Sequence, residues 1–217
     1  MVKKKPRKKT PAEPIKPART RLEPEVRKEL ILDAAADLVA EEGVSAVSME
    51  RLGREAGVSK SLIYAYYPNL QDVLGTLLKR EYRRLRNQQI EAAEQAGTFA
   101  EMIRLITGAY MNYMDQRGLI LERLSAEPSF ADHGDPTDYN RRGAVNYLAN
   151  ILHNDFDLEL DLAKAVLDIS FGLPAAGGQY LIREETDREL VEDITVTMIT
   201  GSIQAVLDKY GSSRKKL

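Results

Sequence analysis

The chain has 217 residues, 43% of them hydrophobic and 29% charged, a balance that suits a folded globular protein and excludes wholesale disorder. It has no cysteine and only two histidines, His133 and His153, which excludes disulfides, thiolate nucleophiles and zinc fingers, so no metal and no cofactor is expected. The net charge of −2 conceals a segregation: residues 1–21 carry nine Lys or Arg against one Glu, whereas residues 87–217 carry twelve basic and twenty-one acidic side chains.

A basic end beside an acidic bulk is what a chain shows when only its N-terminal part meets a polyanion such as DNA. A solubilising tail would carry the same charge. The lysine-rich start is followed by no apolar segment of signal-peptide type. No continuous apolar run approaches the roughly eighteen residues of a membrane span, so a cytoplasmic protein without a membrane partner is expected.

Residues 1–21 are rich in lysine and proline with little to bury and read as a disordered basic arm. Order is expected from about Leu22. Leu30, Ile31, Ala34, Ala35, Leu38 and Val39 then recur at three- and four-residue steps up to Gly43, the pattern of an amphipathic core helix with a C-terminal stop. Ser48 offers the cap of a second, short helix ending near Gly57, and Ser59 caps a third almost at once. Pro68 closes the third. Asn69 opens a fourth, with Val73, Leu74, Leu77, Leu78, Tyr82 and Leu85 as its apolar side. Further helical patterns run over about 98–116, 118–125, 136–154, 159–183 and 186–210. The chain reads as all-α with about nine helices, no strand, and a division into 1–21, 22–70 and 71–217.

Two short helices joined by a glycine-containing turn and braced by a longer one have the layout of a helix-turn-helix. At about 100° per residue, turning Ile63 and Tyr67 inward with Val58 and Ala56 leaves Lys60, Ser61, Leu62 and Ala65 facing outward, with Tyr64 and Tyr66 on opposite flanks. A helix seated in the major groove has base edges under that face and phosphates on either side. Flanking tyrosine hydroxyls then suit the backbone, and Lys60 suits a guanine edge or a phosphate. By default, Tyr64 and Tyr66 are half-buried packing residues, and the run "KREYRRLR", Lys79 to Arg86, is the solvated face of a helix.

The stretch from about Arg27 to Leu74 resembles the TetR family of bacterial transcriptional regulators (TetR/AcrR-like). The resemblance lies in "ILDAA" of the first helix, the "EEG" stop, the Ser48 cap, "EAGVSK" at the turn and the "IY-x-YY" that ends the third helix. It implies DNA contacts from Ser48, Lys60, Ser61, Leu62, Tyr64, Ala65 and Tyr66, with Arg19 and Arg21 of the arm reaching the minor groove. Two positions depart from the family. Gly53 stands where Ala is frequent, and Leu70 where a phosphate-binding lysine is usual. The family also implies a homodimer through the last two helices, and an effector pocket for a small apolar or amphipathic molecule. Tyr110, Tyr113, Met114, Tyr147, His153 and Phe171 are candidates to line it, although such stripes are more often plain core.

The resemblance therefore implies a sequence-specific DNA-binding transcriptional regulator. It would act as a repressor, bind a near-palindromic double-stranded operator as a homodimer and be released by an effector. A DNA-binding architectural or nucleoid-associated protein without an effector would share the same motif. An enzyme is not expected. Ser129, His133 and Asp135 form a superficial hydrolase trio, but no tight-turn nucleophile motif accompanies them.

Overall fold

The computed structural model describes residues 23–131, 138–184 and 186–211. The expected arm, with Arg19 and Arg21, lies outside them, as do His133 and Asp135. Ten α-helices and one 3-10 turn follow one another among the described residues, none of which is in a strand. The helices are α1 (Pro24–Glu42), α2 (Met49–Glu55), α3 (Lys60–Tyr66), α4 (Leu70–Ala93) and α5 (Phe99–Ser125), followed by α6 (Pro128–Ala131), α7 (Asp138–Phe156), α8 (Leu160–Ser170), α9 (Gly172–Arg183) and α10 (Arg188–Tyr210).

The first four helices begin and end where local chemistry dictates. Pro24 occupies the first turn of α1, where its missing N–H costs nothing, and Gly43 ends the helix at φ +91°. Ser48, Ser59 and Asn69 each accept a hydrogen bond from the backbone three residues on, at 3.2, 3.2 and 2.9 Å. Thr98 and Glu101 close a reciprocal capping box at the start of α5.

The later boundaries differ from the expected ones in two instructive places. No break separates 98–116 from 118–125, because Gly118 is a packing residue within α5: a Cβ there would lie 2.7 Å from Ile182 Cδ1. Residues 159–183 form two helices that meet at Phe171, three residues before Pro174. Proline clashes with the carbonyl four residues earlier, here Ser170, so α8 ends there and Pro174 sits harmlessly in the first turn of α9.

The buried side chains form two clusters. One takes α1 to α4 together with Tyr113, Met114, Ile120, Leu121 and Leu124 from the second half of α5. The other takes Phe99 and Ile103 from the start of α5 with the inner faces of α7, α8 and α10. Both ends of α5 are thus anchored, each in a different core.

By length and composition α10 is long and apolar enough to cross a membrane, with a mean hydropathy of 1.3 over an 18-residue window. It lacks a continuous apolar run because Thr, Gly and Ser interrupt its aliphatic residues. Val191, Val196, Ile199, Ile203 and Leu207 are buried within the chain, and 33% of that window is buried.

Candidate nucleic-acid interface

The turn between α2 and α3 is built on two glycines. Gly57 adopts φ +66°, a conformation that costs other L-residues, and the chain reverses there so that Val58 N–H donates to the Gly53 carbonyl at 2.9 Å. Gly53 is buried at the crossing. A Cβ on it would stand 2.9 Å from the Val58 carbonyl oxygen and 3.6 Å from Ile63 Cδ1, so α2 and α3 approach more closely than alanine would allow. Ile63 and Tyr67 are buried beneath α3, and burial pushes the Tyr67 phenol pKa upward.

With that face fixed, Lys60, Ser61, Tyr64 and Ala65 are exposed, Tyr64 at 47%. No acidic residue lies within α3. Ser48 is exposed while its oxygen caps α2, which leaves its hydroxyl hydrogen able to donate outward. The Ser61 hydroxyl lies 3.1 Å from that of Ser59. Leu62 and Tyr66 are only half-exposed. Arg27 Nη1 donates to the Tyr66 hydroxyl at 3.3 Å, and the Lys28 ammonium lies 5.8 Å from the ring centroid. Arg27 and Lys28 thus join this edge from α1. The sequence hid them in a helix that reads as core, and a basic pair in its first turns was the one available signal.

Leu70 packs against the first core cluster at the start of α4. The amide of Asp72 is taken by Asn69, and the Asp72 carboxyl places an acid in the same turn. Both features weaken this helix start as a phosphate site.

Residues 31–76 match the family profile described as "Bacterial regulatory proteins, tetR family". The chain is 28% identical over 130 residues to the HTH-type transcriptional repressor KstR of Mycolicibacterium smegmatis, covering 60% of this chain and 61% of that protein. It is 25% identical over 124 residues to the fatty acid metabolism regulator protein of Bacillus subtilis, covering 56% and 64%. The alignments thus span less than two thirds of these relatives' own lengths. Among solved structures, the TetR-like transcriptional regulator LfrR from Mycobacterium smegmatis in complex with proflavine shares the fold, with a TM-score of 0.59 at 20% identity, over 82% of this chain and 96% of that one. Residues 31–76 carry a TetR-family regulatory domain.

The matched residues run from within α1, through α2 and α3, into the first turns of α4. The six candidate effector residues do not meet in one place. Tyr113 and Met114 are buried in the first core cluster, with Tyr110 packed against it. Tyr113 donates to Glu81 at 2.8 Å, and burial pushes the Tyr110 phenol pKa to about 12. Tyr147 is exposed, the His153 ring nitrogen lies 2.8 Å from the Leu158 carbonyl oxygen, and Phe171 is half-buried against the second cluster. Two solvent-open clefts, of 430 and 640 Å³, are lined by none of these six. Ser129 is exposed in α6.

The small residues of α9 and α10 divide into two sets. Gly177 and Gly178 face inward, where Cβ atoms would stand 2.6 Å from Met111 Cε and 2.8 Å from Tyr110 Cε1. Gly172 and Gly201 have open space instead, on faces of α9 and α10 that also expose Ala175, Ala176, Tyr180, Leu190, Ile194 and Met198.

Proposed function

We propose that the protein is a homodimeric DNA-binding transcriptional regulator, a repressor, whose paired α3 helices enter successive major grooves of a near-palindromic operator. One observation carries this reading: a seven-residue helix held from below by Ile63 and Tyr67, with an acid-free outer face of Lys60, Ser61, Tyr64 and Ala65. Lys60 and Ser61 reach base edges or phosphates at the helix start, while Ala65 permits close approach and offers a methyl to thymine. Tyr64 and Ser48 donate to phosphates on one side. Tyr66 acts on the other side together with Arg27 and Lys28. Arg19 and Arg21 belong to this proposal as minor-groove contacts of the arm.

The homodimer is supported by the row Leu190, Ile194 and Met198, spaced four residues apart and about half exposed along α10, beside the small-residue face of α9. An apolar row of this kind, on the last two helices, suits a two-fold bundle with its copy.

Release by a small apolar or amphipathic effector is the remaining part of the proposal. LfrR was solved in complex with proflavine. In this chain such a ligand would have to displace side chains such as Tyr110 and Met114 from against Gly178. Release then follows if the ligand binds the open arrangement better than the closed one.

Selection of bound fragments from a random DNA pool tests the reading. Recovery of a two-fold symmetric site supports it, and recovery of unrelated sequences bound at equal strength would favour an architectural protein instead.

A further inference from the structure

The run Lys79 to Arg86 is not simply a solvated face. Arg80 and Glu81 turn inward from α4, and the Glu81 side chain is 0% exposed. Its carboxylate accepts from Arg117 Nε at 2.7 Å, Arg117 Nη2 at 2.9 Å and the Tyr113 hydroxyl at 2.8 Å, all from α5. Arg80 Nη2 donates to it at 3.2 Å, and Arg84 Nη1 lies 3.7 Å away. Arg80 carries the chain of charges onward to α1, donating to Glu29 at 2.9 Å, to Asp33 at 2.8 Å and to the Leu32 carbonyl at 3.3 Å. Farther along α5, Arg123 donates to two carbonyls in the last turn of α1, Val39 and Ala40, at 2.7 Å each.

These bonds join three helices, and α1 in turn holds the end of α3 through Arg27, Lys28 and Tyr66. On its other side α5 is pressed against α9, with Gly118 under Ile182 and Gly178 under Tyr110 and Met114. Apolar contacts are non-directional and tolerate sliding. A two-point guanidinium–carboxylate pair fixes an angle, and a buried charge resists losing its partner.

We propose that Glu81 is a positioning residue for the DNA-reading head: through Arg117, Tyr113 and Arg80 it sets the angle of α1 and α4 against α5. A displacement of α5 against α9 is then passed by this ionic network to α1 and α4, and from α1 to α3 through the contacts of Arg27 and Lys28 with Tyr66, rather than absorbed by the core. The consequence for DNA rests on the proposed function, whereas the angle itself is measurable without DNA.

The chain has no cysteine, so a spin-label pair is placed cleanly with Arg54→Cys on α2 and Glu122→Cys on α5, both exposed. Labelled chains are diluted into unlabelled protein to isolate the intrachain distance. The native chain should give one narrow distribution. Glu81→Gln and Arg117→Lys should shift or broaden it by roughly 1–2 Å, the scale of helix displacements in such transitions, and Tyr113→Phe by less. If both variants melt cooperatively and their distributions coincide with the native one, Glu81 has only a structural role and the proposal fails. Should Glu81→Gln not fold, Arg117→Lys alone decides the question, since it keeps the charge and loses the two-point grip. On DNA selected by the native protein, the same variants should tolerate one-base-pair changes in half-site spacing better than the native chain does. If selection returns no symmetric DNA, the proposed function fails while the distance result still decides the role of Glu81.

Discussion

Arg117 grips Glu81 with two parallel hydrogen bonds, 2.7 and 2.9 Å long, across the contact between α5 and α4. Burial disfavours the charged carboxyl, but the bonds from Arg117 and Tyr113 outweigh it and hold its pKa below the ordinary carboxylate value. A depressed carboxyl stabilises the fold above its unfolded pKa of about 4.3, and that stabilisation is lost as pH falls through the folded value. Glu81→Gln should therefore destabilise the native state at neutral pH by about 2 kcal/mol, less than a fully buried pair would lose because Arg117 keeps some exposure. Denaturant titrations of both chains should converge as pH drops below about 4. A difference independent of pH would show that Glu81 acts by shape alone.

Gly53→Ala sets two effects against each other. Alanine gains about 1 kcal/mol of helix propensity, but its Cβ would meet the Val58 carbonyl at 2.9 Å, and a backbone atom cannot swing aside as a side chain can. We expect a net loss of roughly 1 to 2 kcal/mol, with faster amide exchange in α2 and α3. A rise in melting temperature would show that the turn has slack.

Tyr64 and Tyr66 should respond differently to loss of the hydroxyl. Tyr64 is the more exposed and donates to phosphate in the proposed complex, so Tyr64→Phe should weaken binding by about 1 kcal/mol on every DNA sequence. Tyr66→Phe chiefly releases Arg27 and should cost less. Anisotropy titrations on two unrelated operators check both, and a change of sequence preference with Tyr64→Phe would move that residue to a base edge.

Met198→Glu puts a charge at the C-terminal end of the apolar row on α10. Met198 is 52% exposed in the chain, so folding should survive, whereas the dimer dissociation constant should rise roughly 100-fold, equivalent to about 2.7 kcal/mol. Sedimentation across a concentration series reads this directly. An unchanged dimer would place the interface elsewhere.

Local chemistry made the reading head legible in the sequence. Ser48, Ser59 and Asn69 cap their helices through neighbours three residues away, and Ile63 with Tyr67 follows from helical periodicity alone. Glu81 was not legible, because a lone acid in a basic run looks solvated and its decisive partner lies 36 residues on. Gly118 reads as the start of a separate helix in the sequence, since a packing glycine and one at a helix boundary look alike until Ile182 is known to lie above it. The candidate effector residues failed to converge for a related reason: aromatic and methionine stripes mark burial, and only tertiary packing decides between core and cavity.

Hydroxyl-radical footprinting on DNA selected from a random pool tests the central claim most directly. A homodimer with reading helices in successive major grooves should protect two patches on one face of the duplex, related by a two-fold axis and centred about 34 Å apart. Protection should fade at both patches together when Lys60 and Tyr64 are replaced. A single patch, or uniform protection that no substitution in α3 alters, would contradict the account.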